Sequence, residues 1–150
     1  MEHHPSHLSE APIDRRRALL SQVAALRDPQ ERLQWLVERA RQRSSLPAEA
    51  RTDACRVHGC MARLWWVAEL RDGRWHLAAD SDAVTLKAIV GLIAECYDDE
   101  TSAGIVADPP DFLEGLGLLR QLAENRRATV LRVVHVMVEA ARNEMSVASP

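Results

Sequence analysis

Cysteine has the most chemistry to offer in this chain, and Cys60 has the most distinctive setting of the three. In Cys55-Arg56-Val57-His58-Gly59-Cys60-Met61-Ala62-Arg63, glycine stands directly before Cys60 and basic side chains flank it. Glycine permits a sharp turn that lifts the next side chain out of the surface of a fold. A free thiol has a pKa of about 8.5, so only a few per cent is thiolate at neutral pH, and nearby cations raise that fraction by stabilising the anion. Arg56, His58 and Arg63 are the candidates for that role. The competing reading of Cys60 is a small buried hydrophobe, the commoner fate of a cysteine in a reduced domain.

The same stretch admits a metal reading, since Cys55, His58 and Cys60 offer two sulfurs and a nitrogen to zinc. The spacing is irregular, however, and no second ligand pair accompanies it. Cys96 follows Ile93 and Ala94 and precedes Tyr97, where packing is the expected role. No phosphate-binding glycine loop, Gly-x-Ser-x-Gly elbow or His-Glu-x-x-His helix occurs, so common nucleotide and hydrolase chemistries lack support.

The elements that must position the cysteine loop can be read from periodicity. Ile13, Leu19, Leu20, Val23 and Leu26 predict a first helix, with the run Arg15, Arg16 and Arg17 facing solvent. Asp28, Pro29 and Glu31 form a helix-start signature ahead of Leu33, Leu36, Val37 and Ala40, predicting a second helix that ends near Ser44. From Arg63 the period becomes two, Asp72-Gly73 makes a tight turn, and a return strand runs from Arg74 to about Ala79. The adjacent Trp65 and Trp66 then fall on opposite faces, which leaves one indole away from the main core and suited to a partner surface.

Asp80-Ser81-Asp82 offers capping oxygens to a third long helix, whose Leu86, Ile89, Val90, Ile93, Ala94 and Tyr97 form the clearest apolar stripe in the chain. Short helical pieces follow around 101–107 and 110–114. A last helix starts near Asn125 or Arg126, with Val130, Val134, Met137, Val138 and Ala141 on one face. A hairpin, widened by a short strand near Arg56 to about three strands, needs helices to cover its apolar face, so an α+β fold is expected.

The chain has 150 residues, 47% of them hydrophobic, enough for one packed domain, expected over 13–143 with flexible ends at 1–12 and 144–150. A net charge of −3 from 19 basic and 22 acidic residues, scattered rather than blocked, gives no footprint for nucleic acid or an anionic membrane. The opening residues carry no apolar run behind a basic start, and three cysteines make an odd count for a disulfide framework. A cytoplasmic setting with reduced thiols is expected.

Arg-Val-His-Gly-Cys-Met-Ala-Arg-Leu-Trp at 56–65 resembles the SufE/CsdE pattern Val-Pro-Gly-Cys followed, five residues after the cysteine, by tryptophan; Gly59, Cys60 and Trp65 match. The likeness continues through Ala79-Asp80-Ser81-Asp82-Ala83 to Lys87, and Leu122-Ala123-Glu124-Asn125-Arg126 is similar to the family segment that ends in Pro-Ser-Arg, which places the family arginine on Arg126. It extends roughly from Ile13 to Ala141. His58 stands where proline is usual, Met61 and Arg63 where polar residues are common, and Ala88 where a glycine follows the lysine.

The resemblance implies an IscU-like α+β fold and a sulfur carrier with no cofactor of its own. A pyridoxal-phosphate cysteine desulfurase of the SufS/CsdA kind would place a persulfide on Cys60, and a downstream iron–sulfur scaffold would receive the sulfur. Displacement at sulfur by a thiolate is the chemistry of thiol–disulfide exchange. Asp80, Asp82, Lys87 and Arg126 would orient the loop or dock the desulfurase. Their ordinary alternatives are a helix cap for Asp80 and solvated charges for Lys87 and Arg126. Two other functions remain open at this level: a metal- or cluster-binding scaffold, and a module that stimulates a desulfurase without carrying sulfur.

Overall fold

The computed structural model describes residues 11–58 and 61–148; Gly59 and Cys60 lie outside the described residues. Helices α1 (Pro12–Ala24) and α2 (Pro29–Arg41) come first. The hairpin β1 (Leu64–Arg71) and β2 (Arg74–Ser81) follows, then α3 (Val84–Tyr97), α4 (Ser102–Ala107), α5 (Phe112–Gly115) and α6 (Glu124–Ala148). Short 3₁₀ turns at Ala48–Ala50 and Asp53–Cys55 lead from α2 to the cysteine loop. The α+β class is as the sequence predicts.

Helix α2 starts as its sequence dictates: the Asp28 carboxylate accepts from the Glu31 N–H (3.0 Å), and the Glu31 carboxylate accepts from the Arg27 N–H (3.1 Å). It ends at Arg41, a turn earlier than expected. The hairpin turns at Asp72 and Gly73, whose φ values of 54° and 78° are the paired left-handed conformation of a two-residue turn. Its register sets Trp65 opposite Asp80 and Trp66 opposite Ala79.

The sheet has two strands among the described residues. The expected third strand is reduced to a single bridge, Arg56 to Trp65, with the Val57 N–H donating to the Leu64 carbonyl (2.8 Å). The 3₁₀ turn before it ends at Cys55, and Arg56 itself is extended. A second bridge joins Trp75 to Glu100 on the opposite edge.

Helix α3 is the centre of the core. All six residues of its predicted stripe are buried, and so are Ala88, Leu92 and Cys96, because β2, α1, α2 and α6 all pack against it. No described helix is long and apolar enough to cross a membrane.

Two further expectations are corrected. Arg16 is 2% exposed rather than solvated, because it shares a helical face with Leu19, Leu20 and Val23. Its guanidinium donates to Glu100 (3.2 Å), Asp108 (3.0 Å) and the Cys96 carbonyl (3.1 Å), and lies 4.4 Å from the centre of the Tyr97 ring. Its neighbour Arg15 is half-buried and donates to the Asp98 carbonyl (2.9 Å), while Arg17 is exposed. A buried charge persists where it is paired in this way.

Secondly, α3 has no side-chain cap from Asp80 or Asp82; its cap residue is Ala83, whose N–H donates to Ser81 Oγ (3.1 Å). Both aspartates are engaged elsewhere. Helix α6 runs as far as Ala148.

Candidate functional site

The described stems on either side of Gly59 and Cys60 are held from three directions. On the entering side, Arg56 and Val57 lie along the edge of β1, and the His58 carbonyl accepts a hydrogen bond from the Arg132 guanidinium of α6, 74 residues away. On the leaving side, the Arg63 N–H donates to Asp82 Oδ1 (2.8 Å) and its Nε to Asp82 Oδ2 (3.1 Å). The Arg63 carbonyl accepts from Ser81 Oγ (2.6 Å) and the Asp82 N–H (3.2 Å). Desolvation pushes the Asp82 carboxyl up, but the hydrogen bonds from Arg63 outweigh it and hold the group below its ordinary range. Met61, next to Cys60 in the chain, is 97% exposed.

Trp66 points into the main core and Trp65 away from it, as the alternation requires. Yet Trp65 is only 6% exposed, so it is no open indole for a partner. The guanidinium carbons of Arg51 and Arg63 stand 5.4 and 5.7 Å from its ring centre, a cationic cover for an aromatic face.

Asp80 is buried on the face it shares with Trp65. Its carboxylate accepts from the Leu46 N–H (2.9 Å) and the Ser81 N–H (2.8 Å) and pairs with Lys87 (3.4 Å), which also donates to Ser45 Oγ (3.3 Å). Together Asp80 and Lys87 fasten the chain that leaves α2 to the start of α3. Arg126 donates to Thr85 Oγ1 (3.1 Å), joining the first turns of α6 and α3.

The structure therefore brings Arg56, Arg63, Trp65 and Asp82 into one cluster at the loop stems and sets Asp80 and Lys87 behind it. His58 is exposed and tied to α6. Sequence reasoning missed Arg51, Ser81 and Arg132. Ser81 lies inside the matched Asp-Ser-Asp segment, whereas Arg51 and Arg132 reach the site only through the tertiary fold. Among the described residues no group of three potential ligands could hold a metal ion, and the three-ligand set with Cys60 lies partly outside them.

Comparison with known proteins agrees with the residue pattern. The family model described as "SufE: Fe-S metabolism associated domain" matches residues 17–141. An uncharacterised SufE-like protein of Synechocystis sp. is 31% identical over 99 residues, 66% of this chain and 62% of the relative. The chloroplastic/mitochondrial SufE-like protein 1 of Arabidopsis thaliana is 25% identical over 118 residues, 78% of this chain and 32% of the relative. The chloroplastic quinolinate synthase of the same plant is 30% identical over 89 residues, 59% of this chain and 12% of the relative. The chain thus spans less than two thirds of the length of each of these relatives.

A hypothetical protein from Thermus thermophilus, solved in solution, shares the fold with a TM-score of 0.68 at 23% identity, over 87% of this chain and 96% of that one. With residues 17–141, most of its length, matched by the family model, the chain belongs to the SufE family, the Fe–S metabolism associated domain.

Proposed function

We propose that this protein is a sulfur acceptor and carrier, which takes a persulfide from a pyridoxal-phosphate cysteine desulfurase onto Cys60, stimulates that enzyme and relays the sulfur to an iron–sulfur scaffold. The observation that carries the reading is the family match over 17–141, within which Gly59-Cys60 falls in the cysteine motif. The anchored stems support it, because the described residues that flank the motif on both sides are held by hydrogen bonds, and Met61 beside the cysteine faces solvent. Arg56 and Arg63 supply positive charge on both sides of the thiol in the chain.

The reaction is a displacement at sulfur. The Cys60 thiolate attacks the outer sulfur of the desulfurase persulfide, the new S–S bond forms on Cys60, and the enzyme's cysteine leaves as thiolate. Incubation with a cysteine desulfurase and L-cysteine is expected to add one sulfur mass to Cys60, and Cys60→Ser to abolish both the added mass and the stimulation. Stimulation that survives Cys60→Ser would identify a docking module instead. Stoichiometric zinc or iron in protein purified without chelator would favour a metal site.

A further inference from the structure

A pocket of about 560 Å³ lies between the entering stem of the cysteine loop and α6, and its wall includes Cys55, Arg56, His58, Trp66, Arg132 and Val136. Cys55 is a free, half-buried thiol there. Trp66 is 5% exposed, and its indole N–H has no hydrogen-bond acceptor among the described residues; neither has the buried Nε of Arg56. Burying such donors without an acceptor is unfavourable, so two of them on the wall that carries a thiol point to an occupant that accepts hydrogen bonds.

We infer that Cys55 is a second sulfur-accepting thiol, holding a sulfane sulfur in this pocket as a persulfide whose terminal sulfur accepts from Trp66 Nε1 and Arg56 Nε. The inference rests on the sulfur-acceptor reading above and adds a second station to it. The Cys55 thiolate attacks the outer sulfur of an incoming persulfide, an S–S bond forms to Cys55, and the donor's S–S bond breaks. The donor leaves as a thiolate and takes up the proton that Cys55 has lost. No electrons are gained or lost overall. The donor is a persulfide, either that of the partner enzyme or the one carried on Cys60.

Trypsin separates the two thiols, because Arg51, Arg56 and Arg63 place Cys55 in the peptide 52–56 and Cys60 in the peptide 57–63. The full chain is treated with a cysteine desulfurase and L-cysteine, and in parallel with inorganic polysulfide, then alkylated, digested and weighed. One added sulfur is expected on 52–56. Trp66→Phe and Arg56→Lys, which remove the indole N–H and the guanidinium Nε–H and keep the tryptic site at 56, are expected to lower that occupancy about fivefold, the value of one hydrogen bond. Alkylation of the sulfur-free Cys55 should be unchanged in both variants, which keeps a folding defect apart from a lost donor.

The Cys60→Ser chain separates the sources. Sulfur that still reaches 52–56 from the desulfurase comes directly from the enzyme, and sulfur that no longer does so comes through Cys60. A peptide 52–56 that stays sulfur-free with both donors, or variants that hold sulfur as well as the parent chain, overturns the inference. Failure of the underlying reading shows separately, as a peptide 57–63 that the desulfurase never loads.

Discussion

Cys96 sits on α3 with 2% of its surface exposed, and burial pushes its thiol up to about 12 even though the Arg16 guanidinium pulls it down. The thiolate is the reacting species, so a rise from the ordinary 9.0 removes roughly a thousandfold of it at pH 8. The sign is that of a group raised on folding: the folded chain keeps the proton while the unfolded chain loses it. The contribution to stability is therefore whole below about pH 9 and lost as pH rises toward 12. We predict that iodoacetamide at pH 8 labels Cys96 at least about a hundredfold more slowly in the native chain than in urea. Comparable rates would mean that the thiol is not buried. Its silence was legible in the sequence, because Cys96 interrupts none of the apolar positions of its helix. The placing of Cys55 beside Trp66 was not, since only the fold gives them one pocket.

At the scale of elements, local chemistry carried most of the reading. The Asp28-Pro29-Glu31 start, the Asp72-Gly73 turn and the stripe of α3 each specify their conformation within a few residues, and each is found. Arg16 was misplaced because a charged residue in a run of three arginines looks solvated until Glu100 and Asp108 arrive from more than eighty residues away. Its pairing ties α1 to the chain beyond α3, and removing one partner of a buried pair leaves the other charge uncompensated. Arg16→Ala is accordingly predicted to lower the unfolding free energy by about 3 kcal/mol, read as a lower urea midpoint at unchanged slope. Adding Glu100→Gln should recover part of that loss, because it removes the stranded carboxylate. A midpoint equal to that of the parent chain would show that the buried pair contributes nothing.

Across the whole molecule, the stems of the cysteine loop are where distant parts of the chain meet. The edge of β1 holds Val57, the Ser81–Asp82 corner holds Arg63, and α6 reaches the His58 carbonyl through Arg132. The sequence showed the loop and the helix as separate features, with Arg126 as the resembling arginine. The contact with the loop stem is instead made by Arg132, nearly two turns further along, while Arg126 binds Thr85. No local pattern marks that difference, because the positions are fixed by how α6 packs against α3 and α4. If α6 steadies the entering stem, removing its guanidinium should loosen that stem and little else, since Arg132 is exposed and surface changes cost within about 0.5 kcal/mol. Arg132→Ala is therefore predicted to speed hydrogen exchange of the Val57 amide about fivefold, the value of one lost hydrogen bond, with Tm shifted by no more than about 2 °C. Arg126→Ala should leave the Val57 amide as it is. Exchange at Val57 that responds to Arg126 and not to Arg132 would move the steadying contact to the start of the helix.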